Sequence, residues 1–116
     1  RRRIGASGEG RRDVSAGAKT MKTYVIQIGN SDNKLTQNQW AHFVVGVNLA
    51  ICSHCGHVHF KGGSDWDAPW QNACWVCVPI SEEAANLLRS DLALEAARNG
   101  QESIALTVGE TEFIKP

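Results

Sequence analysis

Apolar positions along this chain recur at two spacings, one close to two residues and one close to 3.6, and the switches between them mark out six elements. Tyr24-Val25-Ile26-Gln27-Ile28 is rich in β-branched residues and predicts a strand that stops at Gly29. Thr36 and Gln39 have the spacing of a capping box, and Trp40, Phe43, Val44, Val47 and Ile51 follow on one helical stripe. A helix is predicted from about 37 to 51, ending in Cys52 to Gly56. His57-Val58-His59-Phe60-Lys61 predicts a second strand, Gly62 to Pro69 a loop, and Asn72 to Val78 a third strand stopped by Pro79. Ser81 caps a second helix with Glu82 and Glu83 in its first turn, where carboxylates complement the helix dipole. Ala85, Leu88, Leu92 and Ala96 form its inner stripe, and Gly100 closes it. In the last strand Ile104, Leu106 and Val108 share one phase and Phe113 the other, which predicts a bulge or turn at Gly109.

The order β-α-β-β-α-β is that of the ferredoxin-like split β-α-β sandwich, an α+β fold. Right-handed crossovers then give an antiparallel sheet in strand order 4-1-3-2 with both helices on one face. A hairpin centred near Asp67 pairs His57 with Cys77 and Phe60 with Cys74. That register puts Val58, Phe60, Cys74, Val76 and Val78 under the helices, and Gln27, His57, His59, Lys61, Trp75 and Cys77 on the open face. Because the fold serves many unrelated activities, function has to come from particular residues.

Composition separates a tail from a body. Residues 1 to 20 hold six basic and two acidic side chains among Gly, Ser and Ala, too few apolar groups to offset ordering entropy. A disordered basic tail over 1–20 is expected, fitting a native arm and a segment foreign to the folded unit equally well. Residues 21–116 form the expected single domain. They carry six basic and ten acidic side chains, so nucleic acid is disfavoured as a partner. Apolar stretches fall short of the ~20 residues that span a bilayer, and a cytoplasmic protein without membrane attachment is expected.

Two C-x-x-C units, Cys52 to Cys55 and Cys74 to Cys77, lie 18 residues apart and suggest a zinc ribbon at first sight. In a strand, however, residues three apart point to opposite faces, so Cys74 and Cys77 do not chelate one ion. A zinc site, the one cofactor these residues admit, would draw on Cys52, Cys55, His57 and Cys77. Free thiols are the competing reading. A redox C-x-x-C is disfavoured at Cys52 and Cys55, because the helix C-terminus raises thiol pKa.

Two further constellations remain. The topology brings Asn30, Ser31 and Asp32 against Asp65, Trp66, Trp70 and Asn72, a candidate site for a small polar ligand, with Asp32 and Asp65 as candidate acid and base. The same residue types also build tight turns. The open sheet face, carrying Trp75 in this reading, is a candidate homodimer interface. The expectation is a small binding or interaction module that self-associates through the open sheet face; the alternatives are a hydrolase or transferase with its site at residues 29–34 and 62–72, or a zinc-stabilised adaptor.

Overall fold

The computed structural model describes residues 20–30, 32–65 and 68–116. Strand β1 runs Thr20–Gly29, helix α1 Gln37–His54, β2 Cys55–Gly63, β3 Asn72–Pro79, helix α2 Glu82–Arg98 and β4 Ala105–Glu112. The strands form one antiparallel sheet in the order β2-β3-β1-β4, the expected arrangement read from the other edge. The expected tail, apart from Thr20, lies outside the described residues, as do Ser31 and Trp66 of the candidate loop site.

Both helix starts follow from local chemistry. The Thr36 hydroxyl accepts from the Gln39 amide while the Gln39 side-chain oxygen accepts from the Thr36 amide, and Ser81 accepts from the Ala84 amide. The helices meet at Gly46, where a Cβ would fall 2.0 Å from Glu95 Oε1. His54 and Asp91 tie them together a second time at 2.7 Å.

The core lies between the helices and one face of the sheet. Tyr24, Ile26 and Ile28 from β1 and Ala73, Trp75 and Cys77 from β3 meet Phe43, Val47 and Ile51 from α1 and Leu88 and Leu92 from α2. Each large apolar side chain withdrawn in this way contributes roughly 1.5–3 kcal/mol.

This packing reverses the expected phase of β3. Trp75 and Cys77 are wholly buried against the helices, whereas Val76, Val78 and Cys74 project from the open side. The reason is that both phases of β3 are apolar, so alternation alone does not choose between them. The hairpin register is also shifted: Phe60 faces Val76, Lys61 faces Trp75 and Val58 faces Cys77, with irregularities between Cys55 and His57 and between Val58 and Phe60. The bulges thus fall in β2. At Gly109 the ladder with β1 continues without a shift, Gly109 lying opposite Thr23, and Phe113 follows the strand's end.

Candidate functional site

At the loop edge the amide side chains of Asn30, Gln37 and Gln71 hold the loops. Asn30 is buried; its Oδ1 accepts from the Leu35 amide at 3.0 Å, and its Nδ2 donates to Leu35 O and to Gln71 Oε1, each at 3.1 Å. Both donors and the acceptor are therefore engaged within the chain. Gln71 and Gln37 exchange bonds at 2.9 and 3.3 Å, tying this loop to the start of α1. Asp32 accepts from the Lys34 amide and lies 3.6 Å from its ammonium. Ser64 and Asn72 close the base of the β2–β3 loop, while Asp65 O accepts from the Ala68 amide and Trp70 is exposed. The topology brings the two loops together as expected, through amides whose bonds build the turns.

At the cysteine edge the expected ligands are split. Cys77 is buried on the helix side, whereas His57 lies opposite Val78 and is exposed on the other side. Among the described residues, no three His, Cys, Asp or Glu side chains are placed to hold a metal ion together. All four cysteines are free thiols. Burial pushes the Cys77 thiol up to about 12, assisted by the neighbouring Cys55 and Cys52 thiols. Cys55 is raised too, chiefly by burial, with the neighbouring Cys77 thiol opposing the rise.

The open sheet face has a different character. Residues directly opposite in antiparallel strands share a face, so the register assigns Thr23, Val25 and Gln27 of β1 to this side together with Cys74 and Val76 of β3. Phe60 and Gly62 join from β2, and Ala105, Thr107 and Gly109 from β4. A hydrogen bond between the Thr23 and Thr111 hydroxyls supports the assignment. Phe60 is 54% exposed and lays its ring over Gly62, where a Cβ would meet ring carbon at 2.6 Å. His57 and His59 stack at the β2 rim with centroids 5.7 Å apart.

No Asp, Glu, Lys or Arg of the four strands is assigned to this face. Lys22 opposite Glu110, and Lys61 opposite Trp75, belong to the helix side. No family model matches the chain, and no curated protein matches it in sequence.

Two other surfaces stand out. Helix α1 has no formally charged residue, and its outer side exposes Val45 and Leu49 by 55% and 62%. Between α2 and β4 lies a cleft of about 370 Å³, whose walls include Leu92, Ala93, Ala96, Ile104 and Leu106, with Arg89 also lining it. The α2 side of this space is lined by the small side chains of Ala93, Ala96 and Ala97. Neither surface was legible as a site in the sequence, although the absence of charge from residues 37–54 was a signal for the first.

Proposed function

We propose that this protein is a small interaction module that self-associates through its open sheet face. The observation that carries the reading is the lack of charged side chains assigned to a face built around Val25, Phe60 and Val76, in a chain whose charged residues make up 21% of the total. Depletion of charge and enrichment of aromatic and aliphatic groups characterise the centre of a protein interface. Threonines and Gln27 toward β1 and β4 supply hydrogen-bonding groups there. A second copy presents the same neutral surface and forms an isologous contact.

The enzyme reading at the loop edge has less support, since Asn30 and Gln71 are bonded within the chain and Asp32 is engaged by its own turn. A zinc adaptor using Cys52, Cys55, His57 and Cys77 is weakened by the placement of His57 and Cys77 on opposite faces. The mass of the protein in solution, wild type against Val76→Glu, tests self-association: a dimer converted to a folded monomer is expected.

A further inference from the structure

The cleft between α2 and β4 lies on the helix side of the sheet, away from the self-association face. Leu92, Ala93 and Ala96 from α2 face Ile104 and Leu106 across it, and the space holds about 370 Å³. That volume falls in the range of small-molecule sites, which combine apolar walls with a few polar groups. Here the polar groups sit at the two ends and differ in sign. Arg89 stands at the end where α2 passes Tyr24, its guanidinium carbon 5.5 Å from the ring centroid. Gln101, Glu102 and Ser103 lie at the other end, just beyond the C-terminus of α2. The helix dipole and Glu102 both make that end negative.

Arg89 is placed to receive an anion. Its Nη1 donates to Asn86 Oδ1 at 3.3 Å, and among the described residues no carboxylate pairs with it, whereas Arg98 is paired with Glu95. The contact with Tyr24 holds the guanidinium beside the cleft. Lys22 and Glu110, opposite each other further along the sheet, carry cancelling charges.

We propose that this cleft binds a medium-chain monocarboxylate, its alkyl chain between α2 and β4 and its carboxylate on Arg89. The planar guanidinium donates two parallel N–H bonds to the two carboxylate oxygens. Ala93 and Ala96 leave room for the chain beside Ile104 and Leu106. From Arg89 to Ala97 the helix rises roughly 12 Å, about the length of an extended eight-carbon chain. Glu102 and the helix C-terminus repel a carboxylate from the far end, which fixes the orientation and disfavours a dicarboxylate.

Octanoate titrated into the nitrogen-15-labelled protein and followed by NMR tests this directly. The amides of Leu92, Ala93, Ile104 and Leu106 should shift saturably with a Kd of about 1 mM or below, while those of Val25, Phe60 and Val76 stay in place. Octanedioate and octylammonium should each bind at least about tenfold more weakly, and Arg89→Gln should lose the same factor for octanoate. Arg98→Gln, at a paired arginine on the same helix, should bind as wild type. Ala93→Leu adds bulk from an exposed position into the cleft, and it should abolish the shifts with unchanged far-UV circular dichroism. No saturable shift at the four cleft amides up to about 10 mM octanoate would overturn the proposal. So would equal affinity in wild type and Arg89→Gln, or octylammonium binding as tightly as octanoate.

Discussion

The indole Nε1 of Trp75 donates to the Asn48 side-chain oxygen at 2.9 Å, joining the middle of β3 to α1 across the core. This bond gives a wholly buried Trp the partner that its polar edge requires. Asn48→Leu leaves the indole donor without that acceptor and should cost about 1–3 kcal/mol in urea unfolding. Trp75→Ala should cost about 3–5 kcal/mol. Trp75→Glu should unfold the protein rather than separate two folded copies, the outcome to be read by far-UV circular dichroism.

The Trp75 bond also shows why the sequence reveals the topology better than the faces. Element order, the Thr36–Gln39 box and the Ser81 cap are local signals, and each is realised at the expected residue. The phase of β3 depends on a contact with a residue 27 positions earlier, and Ala73-Trp75-Cys77 is as apolar as Cys74-Val76-Val78. Alternation is uninformative when both faces are apolar. At the loop edge, Asn30 was legible as a polar turn residue, but its burial and its bond to Gln71 are set by tertiary approach.

Asn30 and Asp32 should therefore respond differently to truncation. Asn30→Ala removes three side-chain bonds and strands the Leu35 amide, with an expected cost of about 2–4 kcal/mol by chemical denaturation. Asp32→Ala, on the surface, should stay within about 0.5 kcal/mol. Equal and small costs would contradict the loop-building role given to Asn30.

Two glycines separate a contact that yields from one that does not. At Gly46 an added Cβ meets the end of the Glu95 side chain, which can swing away, and alanine favours the helix by roughly 0.5–1 kcal/mol. Gly46→Ala should be nearly neutral. At Gly63 the Cβ falls 2.3 Å from the Asn72 carbonyl oxygen, part of the backbone, so Gly63→Ala should cost about 1–3 kcal/mol. Thermal unfolding of the two variants side by side measures the difference.

The buried Cys77 thiol predicts alkaline sensitivity. Its pKa is about 12 in the fold against 9.0 for an ordinary thiol, so between those values the native state holds a proton that the unfolded chain has released. The stability associated with this group is fully present below pH 9 and declines as pH rises through that window toward 12. Under reducing conditions, unfolding measured at pH 8 and pH 10.5 should show a smaller alkaline loss in Cys77→Ala than in wild type. An identical loss in both would assign the effect to other groups.

Self-association through the neutral sheet face is measured by sedimentation equilibrium over a micromolar concentration series. Wild type should reach twice the 12.6 kDa chain mass. Val76→Glu should stay at the single-chain mass with unchanged helical signal, since a carboxylate buried in an interface is costly. Leu49→Glu, on the outer side of α1, should remain a dimer. A wild type that is monomeric at high micromolar concentration, or a dimer broken by Leu49→Glu and not by Val76→Glu, would contradict it.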